Sequence, residues 1–303
     1  MSLLVVGSVA IDTVEAPGGR AENVVGGAAL YFSLAASFFT GVRMVGVVGA
    51  DFPRDVLDDL RRRGIDLEGV EERSGATFRW AGRYHEDVNV RDTLHLDLGV
   101  FADFRPTLPE GYRDSRYVFL ANIDPVLQAS VLDQLRAPAV VGCDTMNHWI
   151  AESRPAFERL LRRVNLLVIN DEEARLLSGE RNIVRCAAHI LQMGPRGVLI
   201  KRGEYGIIQF AGQSVFAVPA FPLEEVTDPT GAGDCFAGGF MGELTRAGDL
   251  TPAGLRRAIA YGSVMGSFVV EDFGPRRLLQ LTRDDVDRRY RQFVSLTDIE
   301  LGR

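Results

Sequence analysis

Six short apolar runs recur along the chain: Leu3–Val6, Met44–Val48, Tyr117–Leu120, Val140–Cys143, Leu166–Asn170 and Val198–Lys201. Between them lie stretches with helical periodicity, Ala28–Phe38, Pro53–Arg63, Pro125–Leu135, Arg154–Val164, Asp171–Leu177 and Ile183–Met193. Continuous apolar runs of strand length belong to strands buried on both faces, and a strand–helix–strand rhythm lays helices on both sides of a mostly parallel sheet. The pattern predicts an α/β fold. After residue 230 the rhythm changes, and Ala232–Arg246, Thr251–Val270 and Thr282–Phe293 read as successive helices.

Two regions, 10–25 and 75–98, are strand-like but more polar, with alternation in "ATFRWAGRY" (76–84). They predict a small β lid projecting from the main body; an extension of the central sheet is the alternative. No internal repeat or low-complexity linker divides the chain, so residues 1–303 are expected to form one domain with this appendage.

Composition narrows the function classes. With 46% hydrophobic and 25% charged residues the chain is typical of soluble globular proteins. Its net charge is −7, from 34 basic and 41 acidic residues, and it has no long basic run. The densest cationic spot, "RRR" at 61–63, closes a helical stretch before Gly64 and reads as a solvated face, so no nucleic-acid partner is expected. Cys143, Cys186 and Cys235 are odd in number and widely spaced, which suggests a reducing compartment rather than a disulfide or metal framework. The start "MSLLVVGSVAID" reads as a buried strand rather than a signal peptide, and no apolar run is long enough for a membrane span. The expectation is a cytoplasmic protein without membrane attachment.

The stretch "DPTGAGDCFAGGF" (228–240) carries the chemistry. Gly231 and Gly233 bracket Ala232 at the start of a helical pattern, where small residues let backbone N–H groups approach an anion and the helix terminus favours negative charge. Asp234 stands beside this cradle. Amides that hold a phosphoryl group, with a carboxylate that accepts the proton of an incoming hydroxyl, would account for an acid beside an anion nest. A helix N-terminus is expected to lower the Asp234 pKa. "GAGDCFA" also satisfies a loose dinucleotide fingerprint, but it is preceded by "TDPT" rather than a strand, and the chain has no P-loop sequence.

"DPTGAGD" followed by "CFAGGF" resembles the signature of the ribokinase-like (PfkB) family of sugar and nucleoside kinases. Four further stretches resemble the family in its own order: "VVGSVAID" (5–12), "VVGGAALYFSLAAS" (24–37), "NDEEARLL" (170–177) and "IKRGEYG" (200–206). The resemblance implies a three-layer α/β/α sandwich with a small β lid. It also implies an enzyme that moves the γ-phosphoryl of Mg-ATP to a hydroxyl of a small sugar or nucleoside. By matching positions it assigns Asp12, Gly26, Gly27 and Tyr31 to the acceptor and Gly231, Ala232, Gly233 and Asp234 to catalysis. Asn170, Lys201, Gly203 and Gly206 fall on the nucleotide side, and Asn170 with Glu173 would hold Mg2+ through water. A monovalent cation beside the 228–234 loop and a homodimer through the lid are further expectations. A non-catalytic sensor is the alternative from another class, and loss of the acid in G-A-G-D would mark it; Asp234 is present.

The physical readings stand beside these. Asn170 and Glu173 also fit a helix N-cap with a capping-box Glu, and Lys201 fits a plain strand-end lysine. The ribokinase pattern G-G-K-G-A-N is here Gly26-Gly27-Ala28-Ala29-Leu30-Tyr31, which argues against ribose. Pro229 removes one backbone donor from the loop. Phe78, Trp80 and Tyr84 share one face of a lid strand, suited to a base or sugar face or to packing, while Arg79 and Arg83 lie on the other face. "CDTMNHWI" (143–150) places Asp144, Asn147 and His148 after a strand. His85, His95 and His189 have no partner at a useful spacing and read as surface or capping residues.

Overall fold

Leu3 and Val5 belong to one hydrophobic core and Leu4 and Val6 to another, because successive residues of a strand point to opposite faces of its sheet. The same parity splits Phe119 from Val118 and Leu120, Val168 from Leu167 and Ile169, and Leu199 from Val198 and Ile200. A sheet apolar on both faces must be covered on both, and it is.

The computed structural model describes residues 2–297. The chain opens with β1 (Ser2–Val6), β2 (Ala10–Ala16), β3 (Gly19–Gly26), α1 (Ala28–Ser37), β4 (Gly41–Gly49), α2 (Arg54–Arg62) and β5 (Ile65–Arg73). There follow β6 (Phe78–Tyr84), β7 (Arg91–Asp97), β8 (Tyr117–Leu120), α3 (Pro125–Gln134), β9 (Val140–Cys143), α4 (Asn147–Glu152) and α5 (Arg154–Leu161). Then come β10 (Leu166–Asn170), α6 (Asp171–Ser178), α7 (Ile183–Gln192), β11 (Gly197–Lys201), β12 (Ile207–Ala211) and β13 (Ser214–Val218). Four helices finish the described chain: α8 (Ala232–Ala247), α9 (Pro252–Val269), α10 (Arg276–Gln280) and α11 (Arg283–Thr297).

The central sheet has nine strands in the order β13-β12-β11-β10-β9-β8-β1-β4-β5, parallel from β11 to β5 and antiparallel at the β12–β13 edge. Residues of α1, α2, α8, α9 and α11 fill one core and residues of α3 to α7 the other, so the molecule is a three-layer α/β/α sandwich. The chain leaves β1 toward β4 on one side and later returns to β8 on the other. That reversal opens a crevice at the carboxyl end of β1, the usual ligand position in such sheets.

Residues of 10–26 and 78–97 form a separate four-stranded sheet, β3-β2-β6-β7, antiparallel except for the parallel β2–β6 pair. This sheet starts where the crevice opens, because β2 follows β1 after three residues. Gly27 makes the return possible: its φ is +97°, and a Cβ there would lie 2.5 Å from the Ser8 carbonyl oxygen. Ser8 then accepts the first amides of α1, Ala28 N–H at its hydroxyl (3.2 Å) and Ala29 N–H at its carbonyl (3.0 Å). Five elements go beyond the periodicity reading: β5, the β12–β13 hairpin, α4 and α10.

Candidate active site

The helix α8 begins where the glycines predict. Gly231 is its N-cap with φ +79°, and a Cβ there would lie 2.6 Å from the Tyr31 ring. Gly233 sits in the first turn, and its missing Cβ leaves room for Lys201, whose Nζ lies 2.5 Å from that position. First-turn amides of a helix have no acceptor within the helix, so this terminus can cradle an anion, with an ammonium group at its edge; here Ala232 N–H donates to the Pro229 carbonyl (3.2 Å). The preceding loop is fixed by Asp228, fully buried, which accepts Thr230 N–H (2.8 Å) on one oxygen and Gly274 N–H (3.1 Å) on the other. The Thr230 hydroxyl donates to the Tyr84 hydroxyl of the small sheet (3.3 Å).

Around the cradle stand four more acids. Asp234 follows in the first turn of α8; burial raises its pKa, with Lys201 and Arg91 opposing. The helix terminus was expected to lower it, and desolvation outweighs the helix terminus. Asp144, at the end of β9, is pushed well up by burial and by Asp234, and its Oδ1 has no partner. Glu173 is buried and raised chiefly by burial, against the pull of Lys201 and the Asn170 amide. Asp12, 5% exposed, is raised to about 8 by burial, Asp228 and Asp234, and its Oδ1 also lacks a partner. Buried carboxylate oxygens without donors are rare, and here there are two, on Asp12 and Asp144. Nearby, Thr145 Oγ1 and Asn147 Oδ1 are buried and unpartnered as well.

Asn170 and Glu173 form a reciprocal capping box: Asn170 Oδ1 accepts Glu173 N–H (2.7 Å) and Glu173 Oε2 accepts Asn170 N–H (2.8 Å). Among the described residues no group of three or more His, Cys, Asp or Glu is placed to ligate a metal directly. The donors that do converge are hard oxygens, which suits Mg2+ held through water and phosphate.

Residues 2–281 match the pattern described as pfkB family carbohydrate kinase. The chain belongs to this family. The cytidine kinase of Thermococcus kodakarensis is 32% identical over 266 residues, 85% of this chain and 95% of that protein. In fold the chain is similar to the Burkholderia thailandensis nucleoside kinase in complex with inosine, with TM-score 0.76, 21% identity and coverage of 97% and 99% of the two chains. It is also similar to the Salmonella enterica aminoimidazole riboside kinase complexed with aminoimidazole riboside and an ATP analog, with TM-score 0.78, 19% identity and coverage of 96% and 100%. The sandwich is therefore ribokinase-like, and the protein is a kinase of the sugar and nucleoside class.

For this family member the structure distributes the sequence-derived residues unevenly. Asp12, Gly26 and Gly27 lie together beyond β1: a Cβ on Gly26 would collide with the Asp12 carboxylate. Tyr31 lies with them but only 2% exposed, its ring under Gly231, so it shapes the floor from below. Gly203 has φ +55° and Gly206 φ +79°; a Cβ on Gly206 would strike the Val218 carbonyl, so this glycine serves the turn into β12. Arg79 is held by Asp51 (2.8 Å) and Asn23 (3.0 Å), and Arg83 by Glu15 (2.7 Å), so both are engaged on the far face of the small sheet. Phe78 stacks on Phe101, whereas Trp80 meets Tyr84 edge-on and is half-buried. His85 does have a partner, Asp92 at 2.9 Å, seven residues away across the β6–β7 hairpin; His95 and His189 are exposed. His148 packs on Trp149.

One charged residue beside these acids escaped the sequence reading. Arg91, the first residue of β7, pairs in register with Tyr84, donates to its hydroxyl, and opposes the burial-driven rise in the pKa of both Asp234 and Glu173. Its sequence signal is faint: an arginine in a polar strand whose partner strand carries aromatics.

Proposed function

We propose that the protein transfers the γ-phosphoryl group of Mg-ATP to a hydroxyl of a nucleoside, with the β3-β2-β6-β7 sheet acting as a lid over the acceptor. The observation that carries this reading is that Asp12 and Asp234, from opposite ends of the chain, lie near enough for Asp234 to help raise the Asp12 pKa, with Asp234 in the first turn after Gly231. Similarity to a cytidine kinase favours a nucleoside over a free sugar. So does Trp80, which stands directly beside Asp12 in the β2–β6 register and offers an aromatic face next to the hydroxyl-binding carboxylate.

In this reading Asp12 accepts hydrogen bonds from acceptor hydroxyls at its unpartnered oxygen, and Asp234 orients one hydroxyl and takes its proton. Burial suits Asp234 to that task, because a raised pKa makes it a better base than a solvated carboxylate. The amides of Gly231 and Gly233 hold the transferring group, with Ala232 N–H joining them once it leaves the Pro229 carbonyl, and Lys201 and Arg91 add positive charge where negative charge spreads in the transition state. The donor lies along Lys201, Gly203 and Gly206. Mg2+, held through water by Asn170 and Glu173, would supply neutralisation of the phosphate charge. A monovalent cation beside the 228–234 loop belongs to the same proposal; each Asp228 oxygen there already accepts one amide. Pairing of two lids through the exposed β7 edge remains part of the proposal, with sedimentation as its readout.

The test is ADP release from Mg-ATP across a panel of nucleosides, free sugars, sugar phosphates and sugar acids, with Asp234→Asn as the blank. A nucleoside is expected to give the strongest signal, absent from a blank that folds normally. A free sugar as the best acceptor would overturn the nucleoside assignment, and wild-type turnover by Asp234→Asn would remove Asp234 from the chemistry.

A further inference from the structure

The lid does not stop at the acceptor side. Tyr84 and Arg91 face each other across the base of the β6–β7 hairpin and both point into the site, Tyr84 toward Thr230 and Arg91 toward Asp234 and Glu173. The residues between them reach further, to the loop after β11. There the Asn89 side chain lies against Gly203, so closely that a Cβ on Gly203 would overlap the Asn89 amide.

This tip is a built turn. Asp87 Oδ1 accepts both Asn89 N–H (3.0 Å) and Asn89 Nδ2–H (2.9 Å), which orients the Asn89 amide oxygen away from Asp87 and toward Gly203. Val90 N–H donates to the Asp87 carbonyl (2.9 Å), His85 N–H to the Val90 carbonyl (3.1 Å), and His85 pairs with Asp92 (2.9 Å). Beneath the hairpin runs a strip made of Gly203, Lys201 and Gly233, with the Lys201 ammonium at the Gly233 end. Asn89 roofs the Gly203 end of that strip.

We propose that the tip of the β6–β7 hairpin, through Asn89, is a donor-side element that positions the phosphate donor, so that donor binding alone closes this part of the lid. The inference rests on the donor path described under the proposed function. A lid that served only the acceptor would have no reason to reach the Gly203 turn, on the far side of the cradle from Asp12.

Two measurements test it on the full chain. Calorimetric titration with MgADP compares wild type, Asn89→Ala and Asn89→Asp; Asn89 is exposed, so both variants are expected to keep the wild-type melting temperature. Asn89→Ala should weaken MgADP by about threefold to tenfold, the loss of one hydrogen bond that Asn89 Oδ1 accepts from a hydroxyl or amino group of the nucleotide, and Asn89→Asp should weaken it more, by bringing a negative charge to an anionic ligand. The KM for the acceptor should stay within about twofold in Asn89→Ala, since the acceptor contacts are untouched. Hydrogen exchange at residues 85–91 should slow with MgADP and no acceptor. Binding of MgADP equally by all three proteins, or protection of 85–91 by acceptor only, would overturn the inference and leave the kinase reading standing. Failure of the wild type to bind MgADP would bring down both.

Discussion

Asp12 is a residue whose position conflicts with stability. It is buried, one of its oxygens has no donor, and its pKa is raised to about 8 by desolvation and two neighbouring acids. In the proposed function this oxygen is left for a ligand hydroxyl, at a cost to the free fold. Replacement by the isosteric amide separates the two effects. Asp12→Asn should raise the melting temperature at pH 7.5 by at least about 2 °C, the change expected from roughly 1 kcal/mol. It should also lower kcat/KM for the acceptor by about tenfold to hundredfold, the loss of the hydrogen bonds that the Asp12 carboxyl makes with acceptor hydroxyls. Calorimetry and initial rates on the same preparation check both. A variant that is both less stable and fully active would mean that Asp12 is a structural residue.

Helix α8 does two jobs with one set of glycines. Its first turn forms the cradle, while Gly238 and Gly242 let it pack backbone-close against α1, where Phe32 and Ala36 stand in the way of any Cβ. The two cradle glycines should respond differently to alanine. At Gly231 the backbone is left-handed and the obstacle is the buried Tyr31 ring, so Gly231→Ala should destabilise by about 2 kcal/mol or more. At Gly233 the obstacle is the end of a flexible lysine, and alanine favours a helix over glycine by roughly 0.5–1 kcal/mol. Gly233→Ala should therefore keep or raise the melting temperature while cutting kcat by about a hundredfold, as the methyl group displaces Lys201 and fills the cradle. Equal behaviour of the two variants would refute this division. Elements of this kind were legible in the sequence where burial or glycine dictated them: the six apolar runs all became central strands, and the start of α8 fell where the glycines put it. β5 was hidden because its outward residues are charged, "IDLEGVEER", as an edge strand permits, and β12–β13 because an edge hairpin leaves Val215 exposed.

At the scale of the molecule, the site gathers residues from almost the whole chain, Asp12 from β2, Asp144 after β9, Glu173 from α6 and Asp228 and Asp234 around the start of α8. The acids within motifs could be read locally. Arg91 and Asn89 could not, because their approach to the acids and to Gly203 exists only once the second sheet folds over the first, and neither spacing nor polarity encodes that approach. The gathering also has a global consequence. All five acids are raised by burial, Asp12 from 3.8 to about 8. Between those values the folded state holds protons that the unfolded chain has released, so stability must fall as pH rises through the window. The exposed carboxyls whose pKa values are lowered, such as Asp51 and Asp249, act oppositely, but they titrate below this range and bring their loss only in stronger acid. The melting temperature of the ligand-free protein should therefore be highest near pH 5 and decline steadily to pH 8, against the usual expectation of a neutral optimum. Asp12→Asn should flatten part of that slope, since it removes the group with the stated shift. Scanning calorimetry at pH 5, 6, 7 and 8 on both proteins decides the matter. A melting temperature that rises toward pH 8 would mean that the crevice is solvated and its carboxylates ionised in the free protein, and the desolvated base assigned to Asp234 would fall with it.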